Sequence, residues 1–169
     1  SSFAKLLFYY YTSLHGLDND DHYRYVRNPT DPFWTGCDSS VVTIQFDDIA
    51  FMLPSKTSEM DPTLGELICV SNNVPFVAPQ AALEDKGKTP IRCEQLVATT
   101  NAMDLNAHAY FWCPLAVQRR LPFVIDVKPK DEYKHDNQVF IDPTKLVVEE
   151  GYYPDYWIIT QYKIQPHFD

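Results

Sequence analysis

The chain has 169 residues, is 45% apolar and 22% charged, and carries a net charge of −9. That length supports one compact domain with a real core and is short for two, and the composition is that of an ordinary globular protein. The acidic balance argues against a domain that coats duplex nucleic acid through bulk electrostatics. A basic subset does exist in the second half: Lys86, Lys88, Arg92, Arg119, Arg120, Lys128 and Lys130. No window reaches the ~18 uninterrupted apolar residues of a membrane span. The opening SSFAKLLFYYY has neither a basic leader nor a small-residue cleavage site, so no signal peptide is expected. Cys37, Cys69, Cys93 and Cys113 form no CxxC pair and do not combine with the histidines at metal-ligand spacing. They are expected as separate thiols in a reducing compartment, not as a zinc site.

Residues 2–14 carry apolar groups throughout and predict a largely buried helix, ended by Gly16 and the acidic run to Asp21. YRYV (23–26) reads as a short alternating strand, followed by a Pro-punctuated loop through residue 40. VVTIQF (41–46) is β-branched and aromatic and reads as a buried strand that stops on two adjacent carboxylates, Asp47 and Asp48. A polar loop (54–62) leads to helical spacing over 64–73. Residues 74–92 break at Glu84–Gly87, as a strand-loop-strand hairpin or as a helix with a protruding loop. A β-run from Leu96 to Thr100 ends on Asn101, and 108–122 looks helical in two pieces interrupted by Pro114. PFVIDV (122–127) predicts a third buried strand, and WIITQYKIQ (157–165) an extended segment, with Trp157 expected in a core. Strands alternating with helical stretches indicate an α/β domain with a mainly parallel sheet. There is no internal repeat and no low-complexity segment.

A buried strand releasing Asp-Asp at its C-terminal end places both acids where open parallel sheets bind ligands. That is the arrangement of a Walker B element, in which one acid helps hold the Mg²⁺ of a nucleotide and its neighbour polarises the attacking water. Asn101 at the end of a neighbouring strand could sense a γ-phosphate, and the Arg119-Arg120 pair could neutralise transition-state charge from an adjacent subunit. Each feature has a plainer reading. An Asp-rich turn often follows a strand, Asn101 could cap the next helix, Arg119-Arg120 could be a solvated helix end, and Lys86-Gly87-Lys88 an exposed turn. Their occurrence together, in this order, favours nucleotide chemistry.

TIQFDDIAF, FVAPQAALEDKG (76–87), LVATTNAMD (96–104) and PLAVQRRLPFVIDV (114–127) together resemble the superfamily 3 helicases, specifically the replicative RNA helicase/NTPase of picorna-like positive-strand RNA viruses. The resemblance covers roughly residues 1–130 of a single domain spanning 1–169; residues 131–169 are unassigned. It implies a three-layer, AAA+-like P-loop NTPase fold. It makes Asp47 the Mg²⁺ acid, Asp48 the acid for the water, Asn101 the sensor, which also contacts nucleotide, and Arg119 and Arg120 the finger pair. Lys86 and Lys88 would lie in a segment contacting single-stranded viral RNA in a central pore. The implied substrate is ATP, with Mg²⁺, in a homo-oligomeric ring (expected as a hexamer) working with other viral replication proteins. The expected location is the host-cell cytoplasm, at membrane-bound replication complexes, with membrane attachment through segments outside this chain.

The resemblance has one departure. No GxxxxGK[ST] occurs, and Gly16, Gly36, Gly65, Gly87 and Gly151 never form a phosphate-cradling loop. The opening SSFAKLLF looks like the residues just after a Walker A lysine, so that Ser1 would take the hydroxyl position that touches Mg²⁺. The chain is therefore expected to be a fragment cut inside the P-loop and inactive towards ATP by itself. The competing reading is a non-catalytic module that keeps the sheet and binds RNA or replication proteins. Two-metal nuclease chemistry would need further convergent carboxylates; Asp104 and Asp126 are available, but their spacing shows no such arrangement.

Overall fold

The computed structural model describes residues 2–52, 61–81, 87–88, 90–136, 139–147 and 155–164. The chain divides into two compact units, Ser1–Arg120 and Leu121–Asp169.

The first unit is built on a three-stranded parallel sheet of β1 (Arg24–Arg27), β2 (Thr43–Phe46) and β5 (Gln95–Ala98), with β2 in the centre. The register pairs Thr43 with Arg24 and Gln95, and runs in step to Phe46 opposite Arg27 and Ala98. All four residues of β2 are buried, so both faces of the sheet are covered, as parallel sheets require.

Strand alternation separates the two faces. Thr43 and Gln45 share a face with Gln95, and this side carries α1 (Ser2–His15). Gln95 ties the layers together: its Oε1 accepts from the Thr43 hydroxyl at 2.8 Å, and its Nε2 donates to the Leu7 carbonyl at 3.3 Å. Gln45 in turn accepts from the Arg24 guanidinium at 3.0 Å. The helix is amphipathic where the sequence predicted a largely buried one. Ala4, Phe8 and Thr12 are buried at i, i+4 and i+8, while Tyr10 and Leu14 are exposed.

The opposite face carries Ile44 and Phe46, with Tyr25 and Arg27 on the same side of β1. Trp34, from the Pro-punctuated loop, is buried there against Tyr25, Phe46 and Phe76, with ring centroids at 5.5, 6.1 and 5.2 Å. Arg27 is 3% exposed. It makes a fork–fork pair with Glu66 of α2 (Pro62–Val70) at 2.6 and 2.8 Å, donates to the Asn28 and Phe33 carbonyls, and lies 5.0 Å from the Trp34 ring. Helix α1, the sheet, and a layer of α2 with the Trp34 loop thus give three layers.

Residues 74–92 resolve as the hairpin alternative: β3 (Phe76–Val77) pairs antiparallel with β4 (Pro90–Ile91). Its charged centre lies largely outside the described residues. α3 (Ala107–Tyr110) and α4 (Leu115–Gln118) flank Pro114, as the broken helical pattern predicted.

The second unit corrects the reading of 122–127. β6 (Phe123–Pro129) is not a third buried strand of the parallel sheet. It pairs antiparallel with β7 (Trp157–Lys163), from Phe123 opposite Lys163 to Pro129 opposite Trp157, and Phe123 and Ile125 are exposed. A short apolar run does not reveal whether both of its faces will be covered. The third strand of the parallel sheet is instead the RYVR segment. Trp157 is half-buried.

Replacing Glu66 by Ala leaves the Arg27 charge buried without its carboxylate, which is expected to cost about 3 kcal/mol in urea unfolding. Burial, with Asp38 and Cys93 adding, pushes the Cys37 thiol up to about 12. Below pH about 9 the thiol is neutral in both states; above it only the unfolded chain ionises, so stability falls as pH rises towards 12. Alkylation at pH 8 is therefore expected to label exposed Cys69 and Cys113 and to reach Cys37 only in denaturant.

Candidate active site

The site lies beyond the C-terminal ends of β2 and β5, which the parallel register holds side by side. The ladder continues past both strands: Thr99 N–H donates to the Phe46 carbonyl at 3.0 Å, and Ile49 N–H to the Thr99 carbonyl at 2.8 Å. These bonds carry the Asp47-Asp48 and Thr99-Thr100-Asn101 segments to one edge of the sheet.

Three successive residues after β5 hold different parts of the acid turn. The Thr99 hydroxyl accepts from Asp48 N–H at 2.9 Å and donates to Asp47 Oδ1 at 2.7 Å. The Thr100 hydroxyl donates to the Ile49 carbonyl at 2.8 Å. The Asn101 amide donates to Asp48 Oδ1 at 3.0 Å. Asp47, Asp48 and Asn101 are all exposed. The expectation that an acid pair and an amide converge from neighbouring strand tips is met.

The turn itself is strained. Asp48 and Ala50 have φ of 51° and 57°, the left-handed region that costs a non-glycine residue about 1–2 kcal/mol. Its far side is pinned by groups that sequence reading passed over. Thr63 Oγ1 accepts from Ala50 N–H at 3.3 Å and donates to Asp61 at 2.6 Å, while Asp61 also accepts from Met52 N–H at 3.2 Å. Asp61 is fully buried and caps α2 by accepting from Thr63 N–H at 3.0 Å. From the α3 side, Asn106 donates to the Ala50 carbonyl at 3.2 Å and the Tyr110 hydroxyl to the Met52 carbonyl at 3.0 Å. The Asp-Pro-Thr triplet at 61–63 was the available signal, since Asp before Pro marks a helix start.

The remaining residues singled out in the sequence fare differently. Arg119 closes α4 with an exposed side chain. Arg120 is half-buried, and its guanidinium donates back to the Ala116 carbonyl of the same short helix. Lys88 is exposed. Ser1 and Lys86 lie outside the described residues. Asp104 accepts from Asn106 N–H at 3.1 Å, and Asp126 pairs with Lys128 at 2.8 Å within the second unit.

Among the described residues no three His, Cys, Asp or Glu side chains form a metal cage. Two exposed, hard-oxygen carboxylates nonetheless suit Mg²⁺, which keeps several waters and is held by one or two carboxylates together with substrate phosphates. Asp47 and Asp48 are the residues that fit it.

Paired acids and an amide beyond the C-terminal edge of a parallel α/β sheet lie where such sheets bind ligands. The model of the RNA helicase family matches residues 1–102, and the chain belongs to that family, the superfamily 3 helicases of picorna-like viruses. It is also 32% identical over 123 residues to the replicase polyprotein of Acute bee paralysis virus (strain Rothamsted); the match takes in 69% of this chain and 6% of that polyprotein.

Thr63→Val removes the acceptor of a buried backbone N–H and a donor to a buried carboxylate. It is expected to lower unfolding free energy by about 2 kcal/mol, with Thr63→Ser close to wild type, as read from urea midpoints.

Proposed function

We propose that the chain is part of an NTP-hydrolysing viral RNA helicase or RNA-remodelling ATPase that acts in genome replication as a piece of a larger polyprotein product. The observation that carries this reading is the hydrogen-bonded convergence of Asp47, Asp48 and Asn101 at two strand tips. The family membership supports it.

In this reading ATP is the substrate, and bound Mg²⁺ supplies neutralisation of phosphate charge. Asp47 would hold the metal, joined by the Ser1 hydroxyl. Asp48 accepts a proton from, and orients, the attacking water. Asn101 already donates to Asp48 and so helps to fix that carboxylate's direction, and its amide would sense the γ-phosphate. Catalysis of this kind is positioning and electrostatics, which a rigid pair of strand ends provides.

Arg119 is the better placed of the two finger candidates, because its side chain is exposed while Arg120 turns back on α4. An arginine acting on a neighbour's nucleotide needs an adjacent copy, and head-to-tail contacts that close give a ring, here a hexamer. Single-stranded viral RNA would meet Lys86 and Lys88 in the pore. Other viral replication proteins are partners, at membrane-bound complexes in the host cytoplasm. Among the described residues no helix is long and apolar enough to cross a membrane.

In the mature viral protein that contains this chain, Asp48→Asn is expected to lower kcat about 100-fold or more. Arg119→Ala is expected to lower it about 1,000-fold with nucleotide binding retained. Phosphate release and fluorescent-nucleotide titration separate the two effects. A wild-type protein that neither binds nor hydrolyses ATP would replace this reading by a non-catalytic RNA-binding or replication-complex module.

A further inference from the structure

We propose that Thr99 is the positioning residue of this site: its hydroxyl relays from the Asp48 backbone to the Asp47 carboxylate and thereby aims the metal-holding acid. The direction of the relay is forced. A backbone N–H can only donate, so at the 2.9 Å contact with Asp48 N the Thr99 oxygen is the acceptor. A hydroxyl has one proton to give. At 2.7 Å that proton goes to Asp47 Oδ1. The bond restrains the orientation of the carboxylate, while carboxylate oxygens retain acceptor capacity for a cation. Groups that orient a ligating carboxylate in this way typically contribute about 10–100-fold in metal affinity or activity.

Two features make the relay more than local decoration. The backbone N–H it engages belongs to Asp48, which sits at φ 51°, so the same hydroxyl holds the strained turn and the acid preceding it. Thr63 repeats the device on the other side, accepting from Ala50 N–H and donating to Asp61. There the acceptor carboxylate is buried and structural. At Thr99 the acceptor carboxylate is exposed at the sheet edge. The two relays hold alternate residues of one turn, and only one of them ends on a group that faces solvent.

The proposal rests on Asp47 being the Mg²⁺ acid, and the test separates the two ideas. Mn²⁺, as a stand-in for Mg²⁺, is titrated by electron paramagnetic resonance into the mature viral protein with a non-hydrolysable ATP analogue, alongside kcat and KM for ATP. Thr99→Val keeps the β-branched shape and removes the hydroxyl. It is expected to weaken Mn²⁺ binding about 10-fold or more and to lower kcat, with KM for ATP little changed. Thr99→Ser is expected to recover metal affinity to within about 3-fold, since it restores the donor. Wild-type Mn²⁺ affinity in Thr99→Val, with Asp47→Ala abolishing it, would overturn the relay and leave the ATPase reading intact. Unchanged Mn²⁺ binding in Asp47→Ala would overturn both. Should Thr99→Val fail to fold, the wild-type protein decides by NMR at low temperature. A slowly exchanging Thr99 hydroxyl proton with a cross-peak to the Asp47 β-protons is expected; exchange as fast as that of exposed threonines overturns the relay.

Discussion

The in-step pairing of β2 with β5 is the constraint on which the rest depends. Thr43 opposite Gln95 leads, residue by residue, to Phe46 opposite Ala98, and the strands then release Asp47-Asp48 and Thr99-Thr100-Asn101 at the same height. A slip of one residue would turn every side chain of one strand to the other face. Gln45 would then face Trp34 while Ile44 and Phe46 turned towards α1, and the hydroxyl-to-carboxylate contacts would be lost. The register is held by burial on both sides of β2, with aromatic packing on one face and the Thr43–Gln95–Leu7 hydrogen bonds on the other.

The site is correspondingly a property of strand ends supported from outside. Two left-handed residues flanking Ile49 would be poorly tolerated in a free loop. Here the turn is over-determined: residues just after β5 hold it from one side, Asp61 and Thr63 at the start of α2 from another, and Asn106 and Tyr110 from a third. Ile49 itself is fully buried beneath it. Backbone strain is stored where two carboxylates must lie next to each other in the open, a placement that electrostatic repulsion would otherwise loosen.

The arginines follow a different logic. Arg119 and Arg120, adjacent in sequence, follow directly on a four-residue helix. One guanidinium bonds to its own helix while the other side chain is exposed. A dipeptide motif cannot distinguish them, because which of two neighbours folds back depends on what surrounds the helix end. The second unit teaches the same lesson. PFVIDV has the composition of a core strand, yet in β6 it alternates around an antiparallel partner with exposed apolar residues.

What the sequence determined by itself was the chemistry and its order. A β-branched run stopping on Asp47-Asp48, a second run stopping on Asn101, the break at Glu84–Gly87 and the helix break at Pro114 were legible because strand propensity, turn residues and proline geometry act over a few neighbouring residues. Only the tertiary structure decided which strands share the sheet, and that Arg27, Glu66 and Trp34 form one buried cluster spanning 39 residues of chain. It alone turned two unremarked threonines, Thr63 and Thr99, into hydroxyl relays beneath the acid turn. The reason is physical. A hydroxyl's role depends on which donor and acceptor lie within about 3 Å of it, and those partners, 51 and 52 residues away for Thr99, meet only when the strands pair.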